Sequence, residues 1–307
     1  MTSLTDILQK RAYMLTLTRS FFEKKNIMEV DCPSILSYPN LDDNIEIFKL
    51  QTTPKRYLHS SPEHAMKRLL SEGVSSIYQL SHVYRKGEIG PYHNPEFTLV
   101  EWYRKNVTFS FFLNETLDFI RLFVGDINFT KMSYREIFFC HTNIDYATSN
   151  IEKLKKILQE KSIDYASNDK LDKDGYLNLI FSHIIEPAMP KDQLVVIYDF
   201  PASQAALSQI KEKGDEMVAE RFEIFFQNIE LANGYHELTD PKEQRKRFES
   251  SIAKKEDNLS IDEKLLQALE KGLGDCFGVA MGFDRLLMLH LNKKTIHEVI
   301  PFSWENI

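Results

Sequence analysis

Cysteine is scarce in this chain, with Cys32, Cys140 and Cys276 the only three in 307 residues. They form no CxxC pair and no Cys/His ligand spacing, which argues against a structural zinc site and a disulfide framework and points to a reducing, cytoplasmic setting. No run approaches ~18 apolar residues, so no segment reads as a membrane-spanning helix and no membrane partner is expected. The opening MTSLTDILQKRAYML is broken by Lys10 and Arg11 and does not read as a secretory signal. Neither a P-loop nor a GxGxxG occurs, so a nucleotide, if bound, must be held by side chains. Positive charge is also in deficit: 38 Lys+Arg against 45 Asp+Glu leaves 38 − 45 = −7. That balance disfavours broad binding to a nucleic-acid backbone. No Pro/Gly/Ser-rich linker divides the chain, and residues 1–307 read as one catalytic-sized domain.

What is present is a mixture of helical and strand periodicities. Leu8, Met14, Leu15, Leu17, Thr18 and Phe21 recur at helical spacing between Leu4 and Lys25. Ile27 to Val30 reads as a short strand closed by Pro33, and Tyr57 to Ser60 as another. Ser61-Pro62-Glu63 starts a helix that stops near Gly73. Ser76 to Tyr84 and Glu96 to Arg104 read as an antiparallel hairpin with a long loop. Helices are expected at Phe109–Phe123, Ile151–Lys161 and Gly175–Ile185, and a polar, locally basic one with a solvated face at Pro241–Asp257. Strands are expected at Leu194–Phe200, Arg221–Asn228 and Ile229–Leu238, and Val279–His290 reads as strand, glycine turn and helix. The fold class is therefore α+β, an antiparallel sheet flanked by helices.

Three stretches carry chemistry. In the first, Arg85 ends one strand and Arg104 the next, while His93, Asn94, Glu96 and Phe97 lie on the returning arm. Guanidinium forks suit phosphate oxygens, and Phe97 can stack on a base. In the second, Glu223, Glu230 and Glu237 sit among apolar neighbours, where a cation or a magnesium ion would offset the cost of burial. In the third, Gly278 and Gly282 let a backbone approach a ligand, and Arg285 opens an apolar helix. Taken singly, each has an ordinary explanation: a charged hairpin tip, an edge strand facing solvent, and a glycine turn into a core helix.

Together they resemble the signature motifs of class II aminoacyl-tRNA synthetases. The first helix, strand and Pro33 resemble motif 1, the hairpin with Arg85 motif 2, and GVAMGFDRLLML motif 3. SSPEHAMKRLL, HNPEFTLVEWY and IELANGYHELTDP are similar to the lysyl-tRNA synthetase branch. The motif 1 helix begins within the first ten residues or so, which leaves no room for an N-terminal OB-fold anticodon-binding domain. In this the chain resembles the short lysyl-tRNA synthetase paralogues that modify elongation factor P.

The resemblance implies an ATP-dependent ligase that forms an aminoacyl-adenylate of (R)-β-lysine or lysine and joins it to a lysine of elongation factor P, with tRNA not the acceptor. A minimal tRNA-charging enzyme and a non-catalytic regulatory paralogue are the alternatives. Arg85 and Arg285 are the implied catalytic residues. Lys86, Gly87, Glu88, His93, Asn94, Phe97, Glu230, Leu231 and Gly282 join them around ATP, and Glu223 and Glu230 hold Mg2+. Ser61, Pro62, Glu63, Tyr103, Asn233, Glu237 and Ala280 line the amino-acid pocket, where Tyr103 and Glu237 receive the side-chain ammonium. Glu63, Glu237 or a phosphate oxygen is the candidate base for transfer. Motif 1 implies a homodimer. Gly87 stands where many synthetases have a motif 2 Glu, with Glu88 next to it, and Ala280 stands where Gly is common in motif 3.

Overall fold

The computed structural model describes residues 3–42, 45–164, 171–255 and 259–307. The chain forms two compact units, residues 1–126 with 236–307, and residues 127–235. Elements are numbered in chain order.

The first unit opens with α1 (Leu4–Lys24), whose Ser3 and Asp6 cap each other's backbone N–H groups. Its buried stripe is Ile7, Met14, Thr18 and Phe22, while Leu8, expected on the core face, is 40% exposed. Leu8 lies a full ~100° step round the helix from Ile7, and a helix buries one stripe. Then follow β1 (Met28–Glu29), β2 (Ile35–Leu36), β3 (Lys49–Leu50), β4 (Arg56–Leu58), α2 (Glu63–Ser71), β5 (Ser76–Tyr84), β6 (Glu96–Lys105) and α3 (Phe109–Val124). β5 and β6 form the expected antiparallel hairpin, with Tyr84 opposite Glu96. β1 joins β5 in parallel, so the sheet is mixed, and β2, β4 and β3 make a small separate sheet.

In the second unit, β7 (Phe129–Ser133) leads into α4 (Tyr134–Thr142), α5 (Ile151–Glu160), α6 (Lys173–Ile180) and α7 (Glu186–Ala188). Residues 181–185 continue α6 as a wider π-helical turn. β8 (Leu194–Pro201), β9 (Ile210–Lys213), β10 (Glu216–Phe226) and β11 (Ile229–His236) complete it. β7 and β8 are parallel, and β8, β9 and β11 all pair with β10 in antiparallel fashion. Tyr134, Phe138, Leu154, Leu158, Phe181, Ile197, Phe200 and Phe225 belong to its apolar core. β7 and β9 escape the sequence pattern, because a short exposed strand buries too little to leave a periodic trace, and α4 was not read from the sequence either.

The chain then returns to the first unit through α8 (Pro241–Ala253), α9 (Glu263–Lys271), β12 (Cys276–Gly282) and α10 (Phe283–His290). α8 buries only Gln244 and Phe248, so most of its face is solvated as expected. The expected end of that helix, Asp257, lies outside the described residues. β12 pairs with β6, Gly278 opposite Tyr103 and Ala280 opposite Glu101. Strand alternation then divides the sheet into two unlike faces. Tyr78 and Trp102 point to one face, where Phe22 of α1 stacks on Tyr78 at 4.2 Å and meets Trp102 at 5.3 Å. Phe119 of α3 closes the same aromatic core at 5.5 Å from Trp102. Phe97, Leu99, Glu101 and Tyr103 point to the other face with Gly278, Ala280 and Gly282. Three small residues in alternation leave that face a low floor.

Candidate active site

One end of this floor is acidic. Glu63 and Lys67 stand one turn apart on α2, and the Lys67 ammonium, fully buried, lies 2.6 Å from Glu63 Oε1 and 2.5 Å from Glu237 Oε2. Glu101 accepts from the Ser61 hydroxyl at 2.7 Å and from the Tyr103 hydroxyl at 2.6 Å. The Glu63 N–H donates to the Ser61 hydroxyl at 2.9 Å, which ties the start of α2 to the same network. α2 is held from its far side: His64 lies 3.2 Å from Asp262, the residue that caps α9. Gly278 makes the packing possible. A Cβ there would lie 2.2 Å from Glu237 Oε1 and 2.4 Å from the Tyr103 ring.

Charge is unequal in this pocket, with three carboxylates around one ammonium. Burial above all, and then the charge of Glu63, push Glu101 up to about 7, although the Tyr103 and Ser61 bonds pull the other way. Burial likewise pushes Glu237 up to about 8, with Lys67 opposing and Glu63 adding to the rise. Burial works against the Lys67 charge, but Glu237 and Glu63 outweigh it and hold the ammonium above its ordinary range.

The other end of the floor is basic. From Tyr103 to Phe97 the strand runs about 20 Å. The Arg85 guanidinium sits 5.1 Å from the centre of the Phe97 ring, and Glu88 lies 3.7 Å from Arg85. The Arg85 Nε–H is shielded from solvent and has no acceptor among the described residues, a position that a ligand oxygen would satisfy. Arg285 follows Gly282 and donates to His93 Nε2 at 2.7 Å and to the Tyr92 carbonyl at 3.2 Å. The first contact requires that nitrogen to be unprotonated. Asp284, next to it, is buried, accepting from Arg11 of α1 at 2.6 Å and from the Thr98 N–H at 2.7 Å. Arg85, Arg285, His93, Phe97 and Gly282 therefore share one end. Asn94 is turned into the fold, donating to the Glu96 carbonyl at 2.6 Å and accepting the Trp304 N–H at 2.9 Å. Lys86 is exposed, 3.5 Å from Glu46, and Gly87 takes a φ of +79° in the turn, which favours glycine.

In the second unit, Glu223 on β10 stands opposite Asn233 on β11. A bulge follows, so that Phe225 pairs with Glu230 and Leu231 is the extra residue. Glu223 is bonded by Arg221, whose Nε also donates to Asn233 Oδ1 at 3.3 Å. Burial pushes Glu223 up to about 7; Arg221 opposes this and the charge of Glu230 adds to it. Two neighbouring carboxylates that repel each other in a partly buried site suit a hard dication with oxygen ligands. Among the described residues no group of three or more His, Cys, Asp or Glu could hold a metal by itself.

Sequence reasoning did not assign Lys67 and Glu101 to the site, although both lie inside quoted motifs. Lys67 was legible as the i+4 partner of Glu63, and Glu101 as the i−2 neighbour of Tyr103 on the same strand face.

Comparison with known proteins identifies the family. The family model of tRNA synthetases class II (D, K and N) matches residues 1–306. The chain is similar to the protein named elongation factor P–(R)-beta-lysine ligase of Edwardsiella ictaluri (strain 93-146), at 39% identity, covering 96% of this chain and 94% of that one. It is similar to the proteins of the same name from Hamiltonella defensa (39%, covering 97% and 95%) and from Buchnera aphidicola subsp. Acyrthosiphon pisum, strain APS (40%, covering 98% and 95%).

Proposed function

Because the chain belongs to the class II tRNA synthetase family (D, K and N), we propose that it is an ATP-dependent, AMP-forming ligase that activates (R)-β-lysine or lysine and transfers it to a lysine side chain of elongation factor P. It is an enzyme of the ligase class, as its relatives are named. The observation that carries the reading is a single sheet face of small residues with carboxylates at one end and arginines at the other.

In the first step the amino-acid carboxylate attacks the α-phosphorus of ATP, forming the acyl-adenylate as the bond to pyrophosphate breaks. Arg85 and Arg285 neutralise charge that develops on phosphate oxygens, so their contribution is positioning and electrostatics. Phe97 offers a ring face to adenine, and Glu88, Lys86, Gly87, His93, Asn94 and Gly282 shape that end. Leu231, Asn233, Glu223 and Glu230 keep the roles that the motif resemblance implies. The two glutamates would hold magnesium, which when bound offsets phosphate charge. The amino-acid ammonium groups go to the pocket of Ser61, Pro62, Glu63, Tyr103 and Glu237, above the methyl of Ala280.

In the second step a lysine amine of the acceptor attacks the acyl carbonyl. The C–N bond forms, the C–O bond to AMP breaks, and the amine gives up one proton to Glu63, Glu237 or a phosphate oxygen. The reading includes a homodimer, no use of tRNA, and a cytoplasmic setting. No helix among the described residues is long and apolar enough to cross a membrane, and the three cysteines are free.

Intact mass of elongation factor P after incubation with the enzyme, ATP and magnesium tests the proposal. One added β-lysyl group is expected with (R)-β-lysine, and AMP and pyrophosphate should accumulate. An unchanged mass together with faster charging of lysine tRNA would overturn it.

A further inference from the structure

Lys67 brings a second ammonium into a pocket meant for ammonium groups. Its side chain is 2% exposed, and it bridges a carboxylate from its own helix to Glu237, distant along the chain. A lysine at i+4 from a glutamate is usually a surface pair of small effect. Here it is desolvated completely, which makes its geometry far more restrictive. The clamp on Glu237 Oε2 turns Oε1 over Gly278, beside the Tyr103 ring. Tyr103 in turn donates to Glu101, and Ser61 donates to the other Glu101 oxygen.

We propose that Lys67 is a positioning residue for amino-acid activation: its ammonium aligns Glu63 and Glu237 as two walls of the pocket, while its single charge leaves the three carboxylates under-neutralised, so that the pocket selects a substrate bearing ammonium groups of its own. The inference rests on the ligase reading and deepens it.

The arrangement has a cost that decides its behaviour. A pocket with no lysine would leave three carboxylates facing one another in a desolvated space, and they would retain protons instead of accepting a cation. A pocket with two internal cations would be neutral enough to lose its preference for an ammonium ligand. One cation against three carboxylates lies between these limits. The groups that face the pocket are Glu63 and Lys67 from α2, Glu101 and Tyr103 from β6, Cys276 from β12, and Glu237, with Ser61 ahead of α2. Glu101 and Glu237 are both raised into the neutral range, so an arriving ammonium enters in exchange for a proton.

The test uses the full-length enzyme in amino-acid-dependent ATP–pyrophosphate exchange, comparing wild type with Lys67→Met and Lys67→Ala. For Lys67→Met the amino-acid KM should rise at least about tenfold, the ATP KM should stay within about threefold, and the fall in amino-acid KM with rising pH should move to higher pH. For Lys67→Ala, added ethylammonium or propylammonium should restore amino-acid KM, and the same amines should do nothing for Lys67→Met, whose side chain fills the gap. An amino-acid KM unchanged in Lys67→Met, or equal changes for both substrates with no amine rescue, would overturn the inference. Should neither variant fold, calorimetric titration of wild type with lysine in two buffers of different ionisation heat decides it. Net proton release near pH 7.5 is expected, and none would overturn it. The two readings fail separately. No exchange by wild type with either lysine isomer removes the ligase reading and this inference with it, whereas normal wild-type exchange with an unaffected Lys67→Met removes only the role of Lys67.

Discussion

Glu237 in the first unit and Glu223 in the second are both buried glutamates with a cation beside them, and they acquire that cation in different ways. Arg221 reaches Glu223 from two positions away on the same strand, and it also donates to the Gln204 carbonyl at 3.1 Å. Strand alternation puts such neighbours on one face, so that pairing is local. Lys67 reaches Glu237 from a helix laid down early in the chain, and only tertiary packing brings the two together. The carboxylate loads differ too. Lys67 serves two carboxylates directly and a third close by, and Glu237 is pushed higher, to about 8 against about 7 for Glu223. Burial is the main cause in both, and the neighbouring carboxylates, Glu63 for Glu237 and Glu230 for Glu223, add to it.

Gly278→Ala should have the largest effect on this contrast. The new methyl would lie 2.2 Å from Glu237 Oε1, so Glu237 or Tyr103 must move. Catalytic efficiency for the amino acid should fall on the order of 100-fold in pyrophosphate exchange, and stability by about 1–3 kcal/mol in urea melts, as for other overpacked sites.

Glu237→Gln should come next. Removing a charged acceptor for an ammonium should raise the amino-acid KM about 10- to 100-fold, with ATP affinity by titration nearly unchanged. Equal loss of ATP affinity would contradict its role. Glu223→Gln should show the reverse pattern: about tenfold more magnesium for half-maximal exchange and an unaltered amino-acid KM. If Glu223→Gln instead moved the amino-acid KM, the division of labour between the two glutamates would be wrong.

The smallest effect concerns stability and pH. Glu101 titrates near 7 in the folded protein, above its ordinary value of 4.5, so between those limits the folded state binds more protons than the unfolded one. The stability from this group is complete below about 4.5 and is lost as pH rises through 7, by at most roughly 1.4 kcal/mol per pH unit. Urea midpoints of wild type should therefore fall between pH 5.5 and 8, and those of Glu101→Gln should fall less. Parallel profiles would show that Glu101 does not titrate in this range.

The hairpin of β5 and β6, the strand and helix around Gly282, and the helix start at Pro62 were legible because each has a local cause: alternation, a glycine at the junction, a proline at the N-cap. Ser61, Glu63, Tyr103 and Glu237 were legible as one group only through motif resemblance, and the fold brings them to one end of the floor. Asn94 could be picked out from its motif, yet its amide is committed to the Glu96 carbonyl and the Trp304 N–H, two contacts that no spacing announces. The parallel pairings of β1 with β5 and of β7 with β8 went unread, since they join segments separated by helices.

The sequence by itself determined which residues alternate, which turn, and which types of charge are present along each strand and helix. Only the tertiary structure decided that Glu63 and Glu237 share one buried ammonium with Glu101 close by, and that Gly278 leaves room for Glu237 and Tyr103. Periodicity is a property of neighbours along the chain, whereas the desolvation that gives those charges their meaning comes from segments that meet only after folding.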